Sequence, residues 1–197
     1  MRRTATRRAF TLVELMIVVA IIGVLAALAI TGVRGYLAQA ETAEARQALG
    51  AVSRGAQASF ERDAASSQVL AAGAAGSVLI HKLCASAPAV PAAVPKGRKY
   101  KPNPASGKDF NTGDLATGWL CLKFTVNDPI RFRYSYRQGS GYVAAANAST
   151  PSARGFEAAA QADFAGNGQL TTLAITGDTD AANASLTVST SIYESGT

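Results

Sequence analysis

The chain has 197 residues, which is enough for one folded domain and an additional segment. Its formal net charge of +6 arises mainly at the start, where Arg2, Arg3, Arg7 and Arg8 lie within the first nine residues. Of the 19 basic residues, 15 remain beyond this start and face 13 acidic residues. This near balance excludes a generally basic protein whose fold is devoted to nucleic-acid binding.

The first predicted element is an apolar segment that is long enough to cross a membrane. Leu15 to Val33 contains 19 consecutive uncharged residues, and the arginines before it form the positive flank that stays in the cytoplasm. We therefore expect everything after Val33 on the far side of the membrane. Glu14 lies at the cytoplasmic end of the segment, where a carboxylate is costly and usually functional. The alternative is that the segment is an ordinary membrane anchor and that Glu14 is a simple interfacial residue.

Residues 9–29, AFTLVELMIVVAIIGVLAALA, closely resemble the class III signal of type IV pilins and type II secretion pseudopilins. The resemblance implies that a prepilin peptidase removes a leader of residues 1–9, by cutting between Ala9 and Phe10, and then methylates the amino group of Phe10. It also implies that Glu14 pairs with the Phe10 nitrogen of a neighbouring subunit and sets the axial register of a filament. Ala9 departs from the pattern, because the family nearly always has glycine there.

We expect the helix to continue from Phe10 to about Arg62, since no proline occurs before Pro88. Its first half, residues 10–35, is apolar on all sides, as a membrane span or filament core requires. Its second half, residues 36–63, carries one apolar face that a sheet must cover. The positions of that face recur at intervals of three and four, and Ser59 is its one polar member: Ala45, Ala48, Leu49, Val52, Ala56, Ser59 and Phe60.

Two cysteines, Cys84 and Cys121, follow the helix on the translocated side. A cysteine pair in an oxidising compartment predicts a disulfide, with two separate buried thiols as the alternative. The bridge would close a loop of about 38 residues and stabilise the fold by about 4 kcal/mol on the chain-entropy argument.

A proline-rich basic loop is predicted over residues 86–108. Such a composition is typical of an extended surface segment. The loop can contact DNA, lipopolysaccharide or surface polysaccharide through its charges, or it can simply be solvated. Its basic residues are Lys96, Arg98, Lys99, Lys101 and Lys108.

The globular part, residues 64–197, is predicted to be rich in β-strands, because from Gly118 onward the apolar pattern has a period of two. Gly166-Asn167-Gly168 is a hairpin signal. The fold class is therefore α+β, with the long N-terminal helix packed on an antiparallel sheet, as in the ladle fold of pilins. Two stretches, 119–129 and 161–168, are similar to the globular part of myxobacterial-type pilin-like proteins. The expected strands cover 119–126, 131–137, 142–146, 155–164, 169–176 and 184–193.

Catalytic and metal sites receive little support. His81 is the only histidine, and the sequence contains no P-loop, dinucleotide motif or metal-ligand cluster. Related proteins can carry an acidic loop that suits calcium, and only Asp163 of that loop remains in this sequence. Calcium prefers six or more oxygen ligands. We expect no metal, no cofactor and no enzymatic activity.

The leading hypothesis is a structural subunit of a type IV pilus. Its expected partners are other copies of itself in a helical filament, the prepilin peptidase and the inner-membrane assembly platform. It is expected to be a single-pass inner-membrane protein before assembly and part of an extracellular pilus afterwards. An alternative is a type II secretion pseudopilin of a short periplasmic filament. An alternative of another class is a membrane-anchored module that binds polysaccharide or DNA through the Lys96–Lys101 loop.

Overall fold

The computed structural model describes residues 10–67, 81–145, 147–180 and 185–196. The predicted leader, residues 1–9, with Ala9 at its end, lies outside the described residues. The chain divides into two compact units, Met1–Glu41 and Thr42–Thr197. One continuous helix, α1 (Leu12–Ser67), contributes residues to both units, and it extends a few residues beyond the predicted end at Arg62.

In the second unit, α1 buries a single face. Ala45, Leu49, Val52 and Ala56 are each at most 1% exposed. Their spacing of four, three and four residues places them on one stripe of a helix. Ser59 and Phe60 continue the stripe and are also buried, and Ala48 is partly buried against it, so the predicted amphipathic face is confirmed.

The sheet that covers this face is antiparallel and has six strands among the described residues. Its order is β1-β2-β3-β4-β5, and β6 pairs with β4 along the same edge as β5. The combination of an N-terminal helix and an antiparallel sheet confirms the predicted α+β class. The strands are β1 (Ala87–Val90), β2 (Arg133–Gln138), β3 (Phe156–Ala162), β4 (Thr171–Asp180), β5 (Ser185–Val188) and β6 (Tyr193–Ser195).

The alternation predicted for residues 131–137 places aromatic side chains in the core. Phe132, Tyr134 and Tyr136 are each at most 2% exposed and belong to the same core as the buried face of α1. Burial raises the pKa of the Tyr134 and Tyr136 phenols, because the phenolate form loses its hydration inside the protein. The hairpin around Gly166-Asn167-Gly168 is also confirmed, since it joins β3 to β4.

The expected strand over residues 119–126 is wrong, because its first part is a short helix, α2 (Gly118–Leu122). Trp119, Cys121 and Leu122 are at most 2% exposed, whereas Leu120 between them is 45% exposed. That pattern suits one helical turn and not the two-residue period of a strand. The helix ends at Lys123, whose backbone is left-handed.

The expected strand over residues 142–146 is also wrong, because β2 pairs with β3 instead. Residues 142–145 contain no strand and lie against the sheet face opposite α1, where Ala145 packs on Ala159 and Ala174. The Glu157 carboxylate of β3 accepts hydrogen bonds from the backbone N–H groups of Val143 and Ala144. These bonds occupy N–H groups that a strand would have used within a sheet.

Two further expectations need correction. The loop predicted over residues 86–108 contains strand β1, which pairs with β2 as an edge strand and tolerates Pro88 there. The expected final strand over 184–193 is instead the pair β5 and β6, which bond to different parts of β4. The break between them is held by Ser189, whose N–H donates to the Thr176 carbonyl at 2.8 Å.

Candidate functional site

The apolar surface at the start of α1 is uncovered. All the large apolar side chains described between Phe10 and Leu37 are between 44% and 79% exposed. Leu12–Ile30 is long and apolar enough to cross a membrane by length and composition, and no part of it is buried in the protein. A soluble monomer rarely exposes so large an apolar surface, so this segment needs lipid or other protein chains around it.

The first turn of α1 contains a reciprocal pair of capping hydrogen bonds. Thr11 directly precedes the helix, and its Oγ1 accepts the backbone N–H of Glu14 at 3.2 Å. The Glu14 carboxylate in turn accepts the backbone N–H of Thr11 at 3.5 Å and its hydroxyl at 3.4 Å. The arrangement is a capping box, which satisfies N–H groups that the first helical turn leaves without an intrahelical partner.

The capping box gives Glu14 a role within its own chain that the sequence analysis did not identify. The signal was present, because a threonine followed three residues later by a glutamate before an apolar run is the sequence pattern of this motif. The carboxylate also lies in the first turn, where the helix dipole favours negative charge. Its bonds to Thr11 are long and exposed, so a stronger donor can compete for the carboxylate.

The start of the chain matches a known sequence family, the prokaryotic N-terminal methylation motif, over residues 4–30. The chain carries this motif. It is the class III signal of type IV pilins, so the predicted resemblance is confirmed. The motif includes Ala9, Phe10 and Glu14. It supports a structural protein of the type IV pilin or pseudopilin kind that a prepilin peptidase processes, and with the apolar helix it fits anchoring in the inner membrane before assembly.

No curated protein and no solved structure matches the chain. The motif covers the exposed apolar part of α1 and ends before the helix begins to pack on the sheet. The similarity of residues 119–129 and 161–168 to myxobacterial-type pilin-like proteins therefore stays a prediction.

In the second unit, Cys84 and Cys121 form a disulfide, and both are at most 2% exposed. The bridge is held against α1 by two polar contacts. The Ser59 hydroxyl accepts the Cys84 backbone N–H at 3.3 Å, and Arg62 Nη2 donates to the Cys121 carbonyl at 2.9 Å. Ser59, the polar member of the otherwise apolar helix face, is therefore part of the attachment between α1 and the disulfide.

Gly55 allows α1 to approach α2 closely beside the disulfide. A Cβ atom at this position would lie 2.2 Å from the Leu122 carbonyl oxygen, a separation that no side chain can occupy. The absence of a side chain is thus required by the packing of the two helices. The sequence shows a glycine within a helix but does not show which element it contacts.

Asp163 organises the β3–β4 loop. Its carboxylate is almost fully buried and accepts the backbone N–H groups of Gly166, Asn167 and Gly168 at 2.6–3.2 Å. These three hydrogen bonds hold the loop backbone around the carboxylate. Among the described residues, no group of three or more histidine, cysteine, aspartate or glutamate side chains is arranged to hold a metal ion.

His81 packs against the end of α1. Its ring stacks on Phe60 with 4.7 Å between the ring centroids, and its Nδ1 lies 3.2 Å from the Phe60 carbonyl oxygen. The histidine therefore contributes to packing beside the disulfide.

Proposed function

We propose that this protein is a structural subunit of a type IV pilus. The observation that supports this function best is the methylation motif on a helix whose apolar side chains are exposed on all sides. Such a surface can be inserted in the inner membrane before assembly and buried among the helices of identical subunits afterwards. The partners in this proposal are other copies of the chain, the prepilin peptidase and the inner-membrane assembly platform, and the final location is an extracellular pilus.

In this proposal the prepilin peptidase cuts between Ala9 and Phe10 and methylates the new amino group of Phe10. Residues 10–35 then form the filament core. The second half of the helix, residues 36–63, and the β-rich part, residues 64–197, together form the part of the subunit that we call the head. The exposed Phe10 side chain, 79% accessible, becomes the first side chain of the mature subunit.

Glu14 has two successive partners in the proposed assembly. In the single chain its carboxylate accepts the long hydrogen bonds from Thr11. In the filament it accepts a charge-assisted bond from the amino-terminal nitrogen of Phe10 on a neighbouring subunit, which is shorter and stronger. A buried charge without a partner is strongly destabilising, so subunits would add only where these two groups meet. The pair thereby sets the axial register.

The same first turn would serve a type II secretion pseudopilin, which forms a short filament in the periplasm. Filament location distinguishes the two functions. The test is to express a tagged copy of the protein in a piliated bacterium that lacks its own copy. The cells are sheared, and the protein is identified in the released filaments.

Intact-mass analysis of the assembled protein tests the processing step. We expect a mature chain that begins at Phe10 and carries one additional methyl group. A chain that still begins at Met1, or a protein present only as a membrane monomer, would contradict the proposal. Processed protein confined to periplasmic filaments would support the pseudopilin instead.

A further inference from the structure

The segment that follows β1, residues 91–109, forms a surface arch whose backbone is bonded to residues that flank strands β2 and β3. The Gly97 N–H donates to the Asp163 carbonyl at 2.8 Å. Tyr100 and Ile130 exchange two backbone hydrogen bonds of 2.7 and 2.8 Å. A basic segment that is merely solvated does not need such attachments. The fixed backbone means that the exposed side chains of the arch are presented in a defined arrangement.

The arch encloses an open groove of about 570 Å³, which is within the size range of small-ligand sites. One part of its lining is apolar and includes Pro91, Val94 and Pro95. The other part is cationic and includes Lys96 and Arg98, both of which are exposed. The groove therefore combines an apolar surface with positive charges at its edge.

Three basic side chains of the arch carry charge toward solvent. Within the described part of the chain, Lys96, Arg98 and Lys101 form no ion pair. The nearby acid Asp109 is occupied inside the arch, where its carboxylate accepts the Tyr100 hydroxyl at 2.8 Å and the Asn103 N–H at 2.6 Å. The hydrogen bond from Tyr100 to Asp109 also raises the pKa of the Tyr100 phenol.

We propose that this groove binds an acidic polysaccharide. A pyranose ring has a face of C–H groups that can pack on the proline and valine side chains. The carboxylates of a uronic-acid polymer can then bind the lysine ammonium and arginine guanidinium groups at the edge. This binding function is additional to filament assembly and uses none of the residues of the methylation motif.

The groove fits a sugar polymer better than DNA. A DNA duplex carries its phosphates on a convex surface that cannot enter a groove of this size. Single-stranded DNA needs exposed aromatic faces on which bases stack. The one aromatic residue that lines the groove, Tyr100, is partly buried and its hydroxyl is bonded to Asp109.

The test measures binding of the mature, detergent-solubilised chain to polygalacturonate, with neutral dextran and a short DNA duplex as comparison ligands. We expect binding to polygalacturonate that weakens as salt is added, because exposed charge pairs are screened. No binding to dextran is expected. Tighter binding to the duplex than to polygalacturonate, or no binding to polygalacturonate at low salt, would overturn the proposal.

A triple variant locates the site. Replacing Lys96, Arg98 and Lys101 by glutamine is expected to weaken polygalacturonate binding by about tenfold, since each exposed charge contact contributes modestly. The matched control replaces Arg54, Lys82 and Arg154 by glutamine, which removes the same charge from exposed positions elsewhere. The control should bind like the unmodified chain. Equal losses in both variants would refute the location.

A second variant separates the groove from simple charge attraction. Val94→Arg adds a positive charge but fills part of the apolar lining. A surface that acted through charge alone would bind polygalacturonate more tightly after this change, and that result would refute a groove. We expect weaker binding. Retention of the disulfide and of the far-ultraviolet circular dichroism spectrum establishes that each variant is folded.

Discussion

Apolar side chains are exposed in the first part of helix α1 and buried in the second part. Leu25 in the first unit is 59% exposed, whereas Leu49 in the second is 1% exposed. The first part has apolar residues on every side, and the second part confines them to one face that the sheet covers. The second unit thus completes its core within one chain, while the first offers apolar surface that only lipid or other subunits can cover.

This difference shows that the two parts need different means of fixing the position of their neighbours. In the head, packing geometry and the disulfide determine how the elements fit together. In the exposed segment, apolar contact is non-directional and does not by itself select an axial position. A single acid such as Glu14 can select one position, because it is destabilising wherever it lacks a partner.

The largest expected effect is that of Glu14→Val on filament assembly. The cleaved subunit should still insert in the membrane, but the Phe10 amine of each incoming subunit would be left without its partner. Loss of one partner of a buried pair costs about 3–5 kcal/mol, which lowers an assembly constant by roughly two to four orders of magnitude. Sheared filaments are quantified at equal membrane levels of cleaved protein. Normal filament yield would contradict the registration role.

Two matched variants separate registration from helix capping. Glu14→Gln retains an acceptor for the capping box but removes the charge, so it should assemble as poorly as Glu14→Val. Thr11→Val removes the capping partner and keeps the acid, at about 1 kcal/mol of helix stability, and it should still form filaments. Normal filaments from Glu14→Gln, together with loss of filaments from Thr11→Val, would show that Glu14 acts through the capping box.

The second effect concerns the disulfide of the head. Reduction of the Cys84–Cys121 bridge should lower the free energy of unfolding by about 4 kcal/mol, given the separation of 37 positions between its cysteines. Trp119, the only tryptophan, is fully buried beside Cys121 and reports unfolding in urea by its fluorescence. The α1 contacts through Ser59 and Arg62 should be lost with the bridge. An unchanged urea midpoint under reducing conditions would show that the bridge does not hold the head together.

The third effect compares equal substitutions in the two parts of α1. Leu49→Ala removes a fully buried side chain and should destabilise the head by about 3 kcal/mol. Leu25→Ala, made on the same helix where the side chain is exposed, should leave the urea midpoint of the head unchanged but reduce filament yield. If Leu25→Ala shifted the urea midpoint of the head, the first part of α1 would contribute to the stability of the head, which would contradict the comparison.

The smallest effect compares two glycines of α1. Gly55→Ala would place a Cβ 2.2 Å from the Leu122 carbonyl oxygen, so we expect a loss of about 1–3 kcal/mol from overpacking. At Gly50 a Cβ would meet only the end of the flexible Arg54 side chain at 3.4 Å. Gly50→Ala should therefore be neutral or stabilise by up to about 1 kcal/mol through helix propensity. Urea unfolding of both variants decides, and equal effects would contradict the close approach of α1 to α2.

The sequence by itself determined the features that depend on short-range periodicity and on local motifs. The methylation motif, the buried stripe from Ala45 to Phe60 and the β3–β4 hairpin are each encoded within a short stretch of residues. The capping box of Thr11 and Glu14 was also local, and its pattern was present in the sequence. Two cysteines beyond the apolar segment were sufficient to predict their bridge.

Only the tertiary structure decided which distant group each irregular segment meets. Residues 142–145 lie against a face of the sheet, where the Glu157 carboxylate, more than ten positions away, accepts two of their N–H groups. Residues 118–122 form a helix because Trp119, Cys121 and Leu122 all have buried partners, including the Cys84 sulfur. The arch around Lys96 is fixed by the distant residues Asp163 and Ile130. Local patterns do not contain these contacts, because tertiary packing outweighs intrinsic propensity in short elements.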